Sequence, residues 1–129
     1  MIKVQTFLKI SDNSGGINGL CIRILKNSKR IGAQPGEIIK ISVKKSRKKK
    51  FIKKSKEVKK GQLYMALVIR TVRGLKRWGN FFLKMSNNAI VIINQYSLPL
   101  STRIFGPIFS EIREDIKYSK IISLAQMIL

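Results

Sequence analysis

The chain has 129 residues, 27 of them Lys or Arg against 6 Asp or Glu, with no His, one Cys and a formal net charge of +21. Lack of imidazole excludes a histidine base, a histidine metal ligand and a physiological-pH switch, and a lone Cys21 excludes an internal disulfide and the common four-ligand thiolate zinc site. There is no phosphate-binding G-x-x-x-x-G-K-[ST] or G-x-G-x-x-G loop, and no apolar run near the ~18 residues a membrane helix needs.

The predicted elements, in chain order, begin with an alternating strand: Ile2, Val4, Thr6, Leu8 and Ile10 on one side. Asp12-Asn13-Ser14-Gly15-Gly16 is a turn, in which Asx side chains bond the local backbone. A second strand follows at Leu20 to Leu25, with Leu20, Ile22 and Ile24 on one face and Cys21 on the other. Gln34-Pro35-Gly36 turns the chain, and Ile38 to Val43 is a third strand with Ile39, Ile41 and Val43 together. Leu63 to Val72 is apolar on both faces, which marks a central strand covered on both sides. Phe81 to Met85 and Ala89 to Ile93 read as a hairpin around Ser86-Asn87-Asn88.

Behind Gly106-Pro107 the period changes. Ile108, Ile112 and Ile116 recur at helical spacing, and Ser119 to Ala125 reads as a second short helix with Ile121, Ile122 and Leu124 inward. Short strands with turns between them and no intervening helices indicate a small sandwich or barrel. The expectation is a mainly β fold, a β-barrel with two short C-terminal helices. At 129 residues it forms one domain: a body over 1–100 with a basic loop at 44–60, then a helical appendage over 101–129.

Charge is unevenly spread. Residues 44–60, KKSRKKKFIKKSKEVKK, hold Lys44, Lys45, Arg47, Lys48, Lys49, Lys50, Lys53, Lys54, Lys56, Lys59 and Lys60 against Glu57. That run carries +10, so the other 112 residues still carry +11. Arg70, Arg73, Lys76 and Arg77 form a second cluster, and Lys40 joins the candidates from the third strand. So much like charge on a compact body repels itself unless a polyanion neutralises it. Residues 101–129, by contrast, are close to neutral and rich in Ile, as suits contact with protein.

Cys21, in a strand without a base beside it, reads as a buried structural thiol. Asp12 suits backbone bonding in its turn, and Glu111, Glu114 and Asp115 suit ion pairing. Trp78 beside Arg77 fits either stacking on an unpaired base or packing in a hairpin. The planar fork of Arg103 fits phosphate or carboxylate recognition or a structural role. No enzyme, cofactor, metal or small-molecule substrate is expected.

Several strings together resemble a known family. They are Asp12-Asn13-Ser14-Gly15, Cys21-Ile22, Val58-Lys59-Lys60-Gly61, Val68-Ile69-Arg70-Thr71, Asn88-Ala89-Ile90-Val91, Thr102-Arg103-Ile104-Phe105-Gly106-Pro107, Glu111-Ile112-Arg113 and Lys120-Ile121-Ile122-Ser123-Leu124-Ala125. In this order they resemble the universal large-subunit ribosomal protein fourteen, of bacterial or organellar type. The resemblance implies a five-stranded barrel with two small C-terminal helices. It also implies binding to large-subunit rRNA, an intersubunit bridge to small-subunit rRNA, and contacts with ribosomal proteins three and nineteen. Thr102, Arg103, Arg113 and Lys120 fall in the region implied to meet protein, the small subunit and a ribosome-silencing factor. Four features depart from the family: the long basic loop, Ser101 before Thr102, Gln126 after Ala125, and the absence around Trp78 to Met85 of the family's Asp-Gly turn and Arg-Phe pattern.

An Ile- and Lys-rich composition fits an A/T-rich genome. The start, Met1-Ile2-Lys3-Val4-Gln5, shows neither a signal nor a transit pattern, so synthesis at the site of action, or a removed presequence, is expected. The mitochondrial matrix is the expected location, with plastid or bacterial cytoplasm as alternatives. Two rival functions are a membrane-surface protein, for which Phe51-Ile52 is the apolar anchor, and a free RNA chaperone.

Overall fold

Apolar residues at every second position within Ile38–Ser46 set the pattern of the barrel: Ile39, Ile41 and Val43 are buried, Lys40 and Lys44 between and beyond them are exposed, and the small Ser42 is buried with its neighbours. The computed structural model describes residues 1–25, 32–47 and 57–129. Lys48, Lys49, Lys50, Lys53, Lys54, Lys56 and the Phe51-Ile52 pair therefore lie outside the described residues.

Five strands close the barrel: β1 (Phe7–Ile10), β2 (Gly16–Ile24), β3 (Ile38–Ser46), β4 (Leu63–Arg70) and β7 (Ala89–Ile93), in the order β1-β2-β3-β4-β7. Neighbours run antiparallel except at the closing seam, where β1 lies parallel to β7 with Lys9 opposite Ala89 and Ile10 opposite Ile90. The interior is filled from every strand, by residues such as Leu8, Ile10, Cys21, Ile39, Ile41, Ala66, Val68, Ile90 and Ile92. Two further strands, β5 (Leu75–Lys76) and β6 (Phe82–Leu83), form a small separate hairpin.

A second apolar cluster lies on the other side of the wall. Leu67 and Ile69 of β4, with Ala89, Val91 and Ile93 of β7, pack against Ile104, Ile108, Ile112, Tyr118 and Ile121 of the C-terminal appendage. This explains why β4 and β7 are apolar on both faces, and β4 is the doubly covered central strand expected from its sequence. The appendage comprises β8 (Ile104–Ile108), 3-10 turns at Ser110–Glu114 and Ile116–Tyr118, α1 (Ser119–Leu124) and β9 (Ala125–Ile128). β9 returns parallel beside β8.

The mainly β barrel with a partly helical C-terminus is thus as expected, and several local expectations are corrected. The first strand begins at Phe7, because Gln5 takes a left-handed φ of 67° and leaves Val4 exposed; Ile2 makes only an isolated bridge to Ala33. In β2 the inward residues are Gly19 and Cys21, while Ile22 is exposed, since register shifts on both sides of this stretch reset the alternation. Phe82–Leu83 pairs with β5, not with Ala89–Ile93. All five residues of β7 are buried, and such a strand belongs between two neighbours. Ile108, Ile112 and Ile116 do not share one helix: Ile108 ends a strand, extended backbone at Asp115 interrupts the turns, and Ile116 is 89% exposed. The helix expected at Ser119–Ala125 is present over Ser119–Leu124, with Ile121 buried.

Candidate nucleic-acid interface

The appendage covers the outer side of β4 and β7, whereas the outer side of β1, β2 and β3 carries cations. Lys9, Arg23, Lys40, Lys44 and Lys45 are all exposed, and none of the three strands contains an acid. The register sets them in rows. Arg23 lies opposite Lys40, and Lys9 is opposite Asn18, itself opposite Lys45. Like charges directly opposite on neighbouring strands destabilise a sheet by themselves. Their joint presence on rigid backbone makes a surface that gains by taking up anions, as a phosphodiester chain supplies.

The basic loop emerges beside this face. At its start the Arg47 N–H donates to the Gly15 carbonyl at 2.8 Å, and at its end the Val58 N–H donates to the Ser14 carbonyl at 3.3 Å. Both ends are therefore pinned to the 12–15 turn. That turn is itself rigid. Asp12 accepts through Oδ1 from the Ser14 N–H at 2.9 Å and from the Ser14 hydroxyl, and through Oδ2 from the Ile92 N–H at 3.1 Å. Asp12 thus has the backbone-bonding role expected of it. Lys9, Asn13, Gly15, Arg47 and Phe105 line a cleft of about 380 Å³ here. Lys59 and Lys60 are exposed at the loop's exit.

Two arginines of the second cluster do not present themselves as expected. Arg70 is only 6% exposed. Its guanidinium donates to the carbonyls of Phe105 (2.9 Å) and Pro107 (2.8 Å), to Ser11 Oγ (2.6 Å) and to Asn87 Oδ1 (3.2 Å). This is a structural cation that ties β4 to β8, so its assignment as a phosphate ligand is corrected. Burial lowers its pKa from the ordinary arginine value.

Arg77 faces the appendage. Its Nε and Nη2 hold the two Glu111 carboxylate oxygens at 2.6 and 2.9 Å, and Nη2 also reaches Ser110 Oγ and the Leu129 carbonyl. Burial of Glu111 raises its pKa, but the hydrogen bond and charge of Arg77 outweigh this and leave the carboxyl below its ordinary value. The ion pairing expected of Glu111 is therefore present. Arg73 and Lys76 are exposed, as is Trp78, 98% exposed at the tip of the β5–β6 hairpin.

At the appendage, Asn13 clamps the Thr102-Arg103 segment. Its Oδ1 accepts from the N–H groups of Thr102 (3.0 Å) and Arg103 (3.2 Å), and its Nδ2 donates to Thr102 Oγ1 at 2.9 Å. The Thr102 and Arg103 side chains are exposed beside one another, while Arg113 sits on the first 3-10 turn and Lys120 in α1, both exposed. Cys21 is fully buried, and burial pushes its thiol pKa up.

Sequence reasoning did not single out Lys9, Arg23 or the Asn13 clamp. Lys9 had a legible signal, since it sits between the buried Leu8 and Ile10 on an acid-free strand; Arg23 has the parity of the buried Cys21 and reaches the surface only through the register shift between them. The clamp spans 89 positions of sequence, for which no local signal exists. No group of three or more potential metal ligands occurs among the described residues, and no helix among them is long and apolar enough to cross a membrane.

Comparison with known proteins agrees with this geometry. A family model described as Ribosomal protein L14p/L23e matches residues 1–129. The chain is 57% identical over 129 residues to "Large ribosomal subunit protein uL14m" of Acanthamoeba castellanii, with both chains covered completely. It is 54% identical over 116 residues to the protein of the same name from Acanthamoeba polyphaga, covering 90% of this chain and 100% of that one.

Proposed function

The chain belongs to the L14p/L23e family of ribosomal proteins, and from that membership we propose how its surfaces divide the work. It is a structural, non-catalytic constituent of the large subunit of the mitochondrial ribosome, and its partners are ribosomal RNA and other ribosomal proteins. In our reading the outer face of β1–β3, with Lys40, Lys44, Lys45, Arg47, Lys59 and Lys60 and with Lys9 and Arg23 added, grips large-subunit rRNA. Arg73 and Lys76 extend this contact, as do Lys48, Lys49, Lys50, Lys53 and Lys54 of the loop. The mechanism is phosphate neutralisation with release of condensed counterions, the barrel holding the cations in register.

The near-neutral appendage takes the other role. Thr102, Arg103, Arg113 and Lys120 meet neighbouring ribosomal proteins (three and nineteen), an intersubunit bridge to small-subunit rRNA, and a silencing factor. The whole chain, 1–129, acts as one domain in this scheme. The observation that carries the reading is the acid-free outer face of three adjacent strands, where Arg23 and Lys40 stand directly opposite one another.

The test is co-sedimentation of full-length chain with large-subunit rRNA, with anionic vesicles in a parallel arm. The parent protein should travel with the rRNA, and a Arg23→Glu/Lys40→Glu double variant should be largely released from it. A double variant retained as well as the parent, or a parent that prefers vesicles, rejects this division.

A further inference from the structure

Trp78 is the chain's only tryptophan, and at 98% exposure it makes almost no contact with its own fold. Phe81 and Phe82 beside it are 73% and 53% exposed. Large aromatics concentrated like this on a short hairpin are anomalous for a solvated surface. They are not there to fill a core, since the hairpin's tip packs on neither apolar cluster.

The tip is nevertheless held in place. Gly79 and Asn80 take successive left-handed φ values of 74° and 62°, and the Arg77 N–H closes the turn on the Phe81 carbonyl at 2.8 Å. The adjoining Arg77 side chain is bolted to Glu111, Ser110 and the Leu129 carbonyl. An indole displayed from an anchored turn loses little conformational freedom when something stacks on it.

Its surroundings select the partner. Residues 72–85 contain Arg73, Lys76, Arg77 and Lys84 and no acid, and the Lys84 ammonium lies 5.3 Å from the Phe82 ring centre. Trp78 and Phe81 border a shallow, open slot of about 560 Å³ that Arg77, Ser110, Glu111 and Glu114 also line. Arg77 balances the Glu111 charge and Glu114 leaves that side of the slot anionic, so the slot suits an uncharged planar base and not a phosphate, while the cations of residues 72–85 suit the phosphates. Aromatic faces framed by backbone-binding cations are the arrangement that holds unpaired nucleotides.

We propose that Trp78 is a stacking platform for an unpaired RNA base, with Phe81 bordering the slot and Arg73, Lys76 and Lys84 receiving the flanking phosphates. This rests on the rRNA-binding reading above and adds a specific contact to it.

The platform carries its own reporter. Full-length chain is titrated at low salt with single-stranded oligoadenylate or with inorganic polyphosphate, following indole emission and, separately, anisotropy of a labelled RNA. Oligoadenylate should quench the emission as it binds, and polyphosphate should bind without quenching. Trp78→Leu, at a site too exposed to matter for folding, should weaken oligoadenylate binding roughly five- to a hundredfold; Trp78→Tyr should restore most of it. RNA that binds by anisotropy while the indole stays unmoved overturns the platform and leaves general rRNA binding intact. A blue-shifted indole in the assembled subunit with no RNA cross-link at residue 78 also overturns it, in favour of a protein partner. No RNA binding at all overturns both readings.

Discussion

Gly106 lies against the guanidinium of Arg70, so close that a Cβ on it would stand 2.5 Å from Nη1. With φ at +79° on Gly106, the carbonyls on either side of it both reach that same nitrogen. One arginine thereby fastens the end of β4 to β8, and the glycine makes room for it.

Both halves of that fastening can be removed. Arg70→Met strands the part-buried carbonyls of Phe105 and Pro107 and the buried Ser11 hydroxyl, and it should cost about 3 kcal/mol in urea unfolding. Gly106→Ala must both strain the backbone and displace the guanidinium, and about 1–3 kcal/mol is expected. A parent-like midpoint for Arg70→Met would show that the cation is dispensable to the fold.

The Arg77–Glu111 pair carries a pH signature. Its carboxyl titrates lower in the folded chain than in the unfolded one, so the unfolded chain takes up the proton first as pH falls. The stabilisation is complete above the unfolded value, close to 4.5, and is lost as pH drops through the folded value. At neutral pH Glu111→Gln should be less stable than the parent by about 0.5 kcal/mol, given the pair's partial exposure and screening. Melting curves of the two proteins should converge in acid; a gap that widened on acidification would contradict the sign.

Salt reports on the cationic face. If the chain neutralises about ten phosphates, log affinity for rRNA should fall against log salt with a slope of roughly −7 to −9. Each charge reversal on the barrel face, Lys40→Glu for example, should make the slope shallower. Filter binding across a salt series measures it, and a parent slope near −2 would be incompatible with the mechanism.

Cys21 should be chemically silent in the native state. It is buried and its thiol pKa is raised, so little thiolate exists and none is accessible. Labelling by a maleimide should proceed only as fast as the barrel opens and should become rapid in denaturant. Prompt labelling of native protein would place the side chain elsewhere.

The Asn13 clamp joins the 12–15 turn to the Thr102-Arg103 segment. Asn13→Ala removes its three hydrogen bonds to Thr102 and Arg103, at a cost of about 1 kcal/mol in stability. Like Arg103→Glu and Lys120→Glu, it should impair subunit joining or silencing-factor binding more than rRNA binding. Gradient profiles showing the reverse ranking would remove the appendage from that role.

Much of this molecule was readable from local pattern. Ile39, Ile41 and Val43 alternate, so β3 and its inward face were visible; β4 is apolar throughout, so its burial on both sides was too. The excess of 27 Lys and Arg over 6 Asp and Glu pointed to a polyanion partner through charge alone. Local pattern failed where a conformation or a pairing reset it. The left-handed Gln5 and the bulges of β2 changed which side chains point inward, and the helical spacing of Ile108, Ile112 and Ile116 was broken by extended backbone at Asp115.

Composition and periodicity, which are properties of neighbouring residues, determined the class of the fold, the excess of cations and the kinds of chemistry that are absent. Which cations remain at the surface was decided only in three dimensions. Arg70 and Arg73 look alike in the chain, yet the first is sealed among carbonyls from β8 and the second is exposed. Those carbonyls lie 35 and 37 positions away, and desolvation depends on what the folded chain brings near a charge, not on the residues beside it.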